Sequence, residues 1–89
     1  MDKKQRFGDL AKEITETYIK KNNDYGDSFG ISVNKYGLIA ALTRISDKFN
    51  RLENLILTDN ALVEDESVRD TLLDLATYCL MTVMEIEGK

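Results

Sequence analysis

The stretch Val68-Arg69-Asp70-Thr71-Leu72-Leu73-Asp74-Leu75-Ala76-Thr77-Tyr78-Cys79-Leu80-Met81-Thr82-Val83-Met84-Glu85-Ile86 decides the fold class. It has no glycine or proline to interrupt a helix, and its apolar side chains cover much more than one helical face. A helix apolar nearly all round must be covered on several sides. The start lies near Asp65 or Ser67 and Gly88 supplies the stop, so the helix is expected over about 66–87. A three-helix chain of 89 residues cannot surround such a helix by itself. A dimer or larger bundle is therefore expected.

Upstream, Leu38, Leu42, Ile45, Phe49, Leu52 and Ile56 alternate spacings of four and three, close to the repeat of a coiled-coil seam. They define a second helix over about 35–57, broken by Thr58-Asp59-Asn60. Phe7, Leu10, Ala11, Ile14 and Tyr18 make an amphipathic stripe on a first helix, about 2–22, ended by Lys20, Lys21, Asn22 and Asn23. Between these helices, Asn22 to Gly30 is dense in turn-forming residues and reads as an ordered loop. Ile31-Ser32-Val33 is a short extended piece, or Ser32 or Asn34 caps the next helix. The expected architecture is all-α: one domain over 1–89, three helices, assembling into an oligomeric helical bundle.

Composition narrows the chemistry. Sixteen acids against twelve bases give a net charge of −4, which argues against bulk nucleic acid as a partner. Without histidine, no triad or general base can run through imidazole. One cysteine excludes internal disulfides and thiolate zinc sites, and Cys79 reads as a core residue. No apolar run approaches the roughly 20 residues of a membrane span, and MDKKQRF leads into no signal-peptide core. The expected location is the cytoplasm.

Charged residues cluster on defined faces. Arg44, Asp47, Lys48 and Arg51 share one face of the second helix, a positive edge suited to phosphate oxygens or a solvated face with an Asp47–Arg51 pair. On the third helix Glu66, Asp70 and Asp74 are stacked at four-residue intervals, with Ser67, Thr71 and Tyr78 beside them. Asp74 interrupts an apolar run, where a carboxylate is costly unless paired or bound. Its partner is a metal ion, a hydroxyl-bearing ligand, or a cation among Arg44, Lys48 and Arg51. Glu13 and Glu16 add an ExxE on the first helix. In the loop, Lys20, Lys21, Asn23, Asp24, Tyr25, Gly26, Ser28 and Phe29 combine cations, polar groups and aromatics. Such a set stacks a base and binds phosphate, or else Tyr25 and Phe29 plug the end of the core.

Three segments in order, KKNNDYGDSF, LTRISDKFNRLENLI and DESVRDTLLDLATYCLM, resemble the first nucleotide modification associated domain family, small proteins frequent in bacteriophages. The resemblance spans about residues 16–86 and implies an all-α fold and an association with phage nucleotide chemistry. Its motif positions are Lys21, Asp24, Tyr25, Gly26, Ser28 and Phe29, then Arg44, Asp47, Lys48, Arg51 and Leu52, then Glu66, Ser67, Asp70, Thr71, Asp74 and Tyr78. More distantly, the chain is similar to MazG-like all-α nucleotide pyrophosphatases, which hold magnesium with an ExxE and an ExxD. Glu13-Ile14-Thr15-Glu16 matches the first element, whereas Glu66, Asp70 and Asp74 replace the second at a different spacing.

Together these features set the expected function: an oligomeric helical protein that binds a nucleotide or nucleotide-derived signal, with no cofactor required. In a phage it would sequester a host defence messenger. Lys21, Asp24, Tyr25, Ser28, Phe29, Arg44, Lys48, Arg51, Asp70, Asp74 and Tyr78 form the expected site. The alternative is a magnesium-dependent nucleoside triphosphate pyrophosphohydrolase whose metal ligands are Glu13, Glu16, Glu66, Asp70 and Asp74. A third reading is a module that docks on another protein's helix.

Overall fold

A computed structural model describes the backbone of residues 1–58 and 64–88, with the side chains of all of these but 64–67. Four helices follow one another: α1 Lys3–Tyr25, α2 Ser28–Tyr36, α3 Leu38–Leu57 and α4 Glu64–Glu87. No described residue lies in a strand, so the all-α class holds. The count of three does not.

The extra helix takes the end of the expected loop, the Ile31–Val33 piece expected to be extended or to precede a cap at Ser32 or Asn34, and the first residues of the expected second helix. Asp2 caps α1 by accepting hydrogen bonds from the backbone N–H groups of Lys4 and Gln5 at 2.9 and 3.4 Å. The helix then passes the expected stop at Asn22 and ends one turn later at Gly26, a left-handed residue whose N–H donates to the Asn22 carbonyl at 2.9 Å. Asp27 is also left-handed, with φ 57°. These two residues make the entire turn. From Ser28 the chain is helical again, because Phe29 and Val33, one turn apart, both reach the interior. Gly37 ends this helix at φ 81°, ψ −170°, a conformation open essentially to glycine alone, and α3 starts directly after it. The break at Thr58 agrees with the expected end of α3; Asp59 and Asn60 lie outside the described residues.

α3 and α4 run antiparallel. Ala41 lies level with Thr82, Lys48 bonds Asp74, and Arg51 bonds Thr71, so rising numbers on one helix meet falling numbers on the other. Across one side of this pair lies α2, and the interior of the chain is where the three helices meet. Phe29, Val33 and Ala41 are the buried apolar residues, with Ala40, Tyr78 and Met81 packed against them, and Thr71 is the buried polar one. α1 has no buried residue and half-buries a line of Leu10, Ile14, Tyr18 and Asn22, while Phe7 and Ala11 of the expected stripe stay exposed. Cys79, expected in the core, is exposed on α4. No described helix is long and apolar enough to cross a membrane.

Val33 is completely buried. Val33→Ala is expected to lower the free energy of unfolding by about 2 kcal/mol. Gly37→Ala should cost about 1–3 kcal/mol from backbone strain. Gly8, mid-helix in α1 with open space around it, gives the opposite sign: Gly8→Ala should stabilise by up to ~1 kcal/mol. Urea unfolding of the three variants at one protein concentration checks these signs.

Candidate functional site

One cleft is walled by all four helices. α1 contributes Thr17, Tyr18, Lys21, Asn22 and Tyr25; α2 contributes Ser28 and Phe29; α3 contributes Arg44 and Lys48; α4 contributes Asp74, Thr77, Tyr78 and Met81. Its volume is about 200 Å³. Phe29 of the short α2, buried against Tyr78, lines the gap together with the end of α1 and the α3/α4 pair.

The lining falls into two chemical classes. On the apolar side are Tyr18, Tyr25, Phe29, Tyr78 and Met81. Phe29 and Tyr78 pack with ring centroids 5.7 Å apart and planes tilted by 40°, a geometry that fixes both rings. Tyr25, by contrast, is largely exposed at the rim. The charged side carries Lys21, Arg44 and Lys48 against the single carboxylate of Asp74. Lys48 Nζ donates to Asp74 Oδ2 at 3.0 Å, both side chains being about one-third exposed. Asp74 thus takes the interhelical cation among its three possible partners. Among the described residues neither Lys21 nor Arg44 has an ion-pair partner, so two positive charges stay uncompensated in the cleft of a chain whose net charge is −4.

Eight of the eleven expected site residues therefore line one cleft: Lys21, Tyr25, Ser28, Phe29, Arg44, Lys48, Asp74 and Tyr78. Asp70 lines a neighbouring groove that shares Thr17, Lys21, Asp74 and Thr77 with it. Arg51 stands away from the cleft, with its Nε donating to Thr71 Oγ1 at 3.3 Å. Asp24 is exposed in the last turn of α1, outside the lining. Sequence reasoning missed Thr17, Tyr18, Asn22, Thr77 and Met81 as site residues. The signal was present: 17, 18, 21, 22 and 25 repeat at helical spacing, as do 74, 77, 78 and 81. The missed residues carry little charge, and only the packing of α1 and α2 against α4 turns their faces into a cleft wall.

Three carboxylates of the magnesium reading, Glu13, Asp70 and Asp74, line one groove, but among the described residues no three acidic or thiol side chains are placed to hold a metal ion. Glu13 is gripped by both terminal nitrogens of the Arg69 guanidinium, at 2.9 and 2.7 Å. Glu16 faces a separate shallow surface with Asp9, Lys12, Glu13 and Thr17, and the Glu66 side chain lies outside the described residues.

A match to a family model covers residues 21–86, whose description is nucleotide modification associated domain 1. The chain belongs to that family. The match takes in α2, α3 and α4 and the last turn of α1, and so includes Lys21, Arg44, Lys48 and Asp74 of the cleft. No curated protein and no solved structure matches the chain. The likeness to MazG-like pyrophosphatases is not shown by the match, and in this family member the ExxE glutamate Glu13 serves to tie α1 to α4.

That tie sets a pH dependence. The hydrogen bonds from Arg69 hold the Glu13 carboxyl below its ordinary value of 4.5. A carboxyl with a lowered folded-state pKa stabilises above its unfolded value, and the contribution is lost as pH falls through the folded one. Both side chains are nearly half exposed, so solvent weakens the effect. Protection of the α1 amides, taken relative to the intrinsic exchange rate at each pH, is expected to fall below the ordinary carboxylate range, and Glu13→Gln to show the lower protection already at neutral pH.

Proposed function

We propose that the chain is a nucleotide-binding protein whose cleft holds a phosphorylated ligand by one end. The observation that carries this reading is the pair of unpaired cations, Lys21 and Arg44, set opposite aromatic rings within one gap. A phosphate needs charge-assisted donors, which an arginine supplies as a planar fork and a lysine as a mobile ammonium. A base needs a flat apolar face, and stacking on an aromatic ring contributes roughly 1–3 kcal/mol. Phosphate between Lys21 and Arg44, with the base against Tyr25 or Tyr78, satisfies both needs. Asn22, Ser28 and Thr77 then stand as hydrogen-bonding groups for sugar or base edges.

Size fixes how the ligand sits. At about 200 Å³ the cleft is below the roughly 300–1,000 Å³ of sites that enclose a drug-sized ligand. The neighbouring groove past Thr17 and Asp74 extends it towards Asp70, and a ligand longer than a mononucleotide follows that path. Lys48–Asp74 sits at the junction of the two, where Asp74 holds the lysine in place or exchanges it for a ribose hydroxyl. Belonging to the nucleotide modification associated domain 1 family agrees with a nucleotide as the ligand. If the source is a phage, the role that follows is to withhold a nucleotide signal from host defence.

Isothermal titration with nucleoside triphosphates, cyclic nucleotides and cyclic dinucleotides tests the assignment. Arg44→Ala and Lys21→Ala are each expected to weaken binding of the preferred ligand about tenfold or more, the cost of one charge-assisted contact. Arg51→Ala, outside the cleft, should leave it within about twofold. Equal loss from all three would place the ligand elsewhere.

A further inference from the structure

We propose that two copies of the chain associate through the face of the α3/α4 pair opposite the cleft, forming a four-helix seam between them. The observation is a pair of apolar ridges that no described residue covers. On α3, Leu42, Phe49 and Ile56 are spaced by seven residues and are 57, 51 and 57% exposed. Leu72, Ala76, Cys79, Val83 and Ile86 on α4 are spaced by four and three in alternation, the pattern of a complete coiled-coil seam. Leu72, Cys79, Val83 and Ile86 are exposed.

Helical geometry puts the two ridges on one face. At about 100° per residue, the α3 ridge lies roughly 70° round from the line Ala41, Ile45, Lys48 and Leu52 that meets α4. On α4 the ridge lies about 90° round from the line Thr71, Leu75, Tyr78 and Thr82 that meets α3. The helices are antiparallel, so rotations of the same sign bring both ridges to the same side. Arg44 and Asp74 fall on the other. An apolar groove lined by Leu38, Ile39, Ala41, Leu42, Ile45 and Thr82 lies at one end of this face and offers holes for a partner's knobs.

The area matches a second copy of the same chain. The accessible surface is 6813 Å², against ~5,300 Å² for a folded monomer of 10.1 kDa. That excess of about 1,500 Å² is a total for the chain, with the exposed α1 contributing to it, and it is enough to include the roughly 1,000–2,500 Å² that each subunit of an obligate homodimer buries. The radius of gyration, 14.5 Å, likewise exceeds the ~12 Å of a compact chain of this length. Two equal ridges on each copy form a self-complementary patch, as a two-fold interface requires.

Sedimentation equilibrium at micromolar concentration is expected to give twice the 10.1 kDa chain mass, or an even multiple of it. Phe49→Glu should shift it to the monomer, whereas Phe7→Glu, on the far more exposed α1 position, should not. Cys79 gives a readout on the wild type should Phe49→Glu fail to fold. Its thiol is exposed in one chain but covered in the dimer, so maleimide labelling should be slow at high protein concentration and accelerate on dilution. A monomer mass for the wild type overturns the proposal, and so does an oligomer in which Cys79 labels as fast as a free thiol. Neither result bears on the ligand reading, because the cleft lies on the opposite side.

Discussion

The antiparallel register of α3 against α4 is the constraint on which the rest of the molecule depends. Lys48 meets Asp74 at 3.0 Å and Arg51 meets Thr71 at 3.3 Å, three residues apart on each helix, so a shift by one turn would break both. The register brings Arg44 and Lys48 beside Asp74, Thr77 and Tyr78 on one side of the pair, and it aligns two apolar ridges on the other. α2 then packs where Phe29 touches Tyr78, and α1 closes the cleft under the grip of Arg69 on Glu13. Site and proposed interface are two sides of one helical hairpin.

A half-buried ion pair such as Lys48–Asp74 contributes little net stability, because desolvation offsets much of the attraction. Its effect is positional. Asp74 holds one of three cations, and the remaining two face the cleft without a counter-charge. In a chain of net charge −4 such a local reversal of sign makes this cleft the place where an anion is attracted and not repelled. The aromatic residues beside those cations are the reason we propose an anion with a flat apolar part, such as a nucleotide.

The helical class, the α3 and α4 spans and most of the cleft were legible from residue spacing. Arg44, Lys48 and Asp74 stood out because a charge at helical spacing beside an apolar run demands a partner. The turn was harder. Asn22 to Gly30 carries enough turn formers for a long loop, yet Gly26 and Asp27 alone reverse the chain, and burial of Phe29 and Val33 then outweighs the weak local preference of SFGISVNKY. Propensity cannot anticipate that result, since it depends on what α3 and α4 present to those two side chains. The same reason governs Glu13, which looked like half of a metal motif until tertiary packing brought Arg69 to it from 56 residues away. Cys79 shows the converse: its leucine and methionine neighbours suggest a core position, but Cys79 itself stands on a ridge that the described residues leave exposed.

Native mass spectrometry tests the central claim most directly. The purified protein is mixed with nucleoside triphosphates, cyclic nucleotides and cyclic dinucleotides, with and without magnesium. The account predicts a phosphorylated ligand retained at its original mass with no metal added, and lost when Arg44 is replaced by alanine. A panel from which nothing is retained would contradict it, as would a triphosphate released as monophosphate only when magnesium is present.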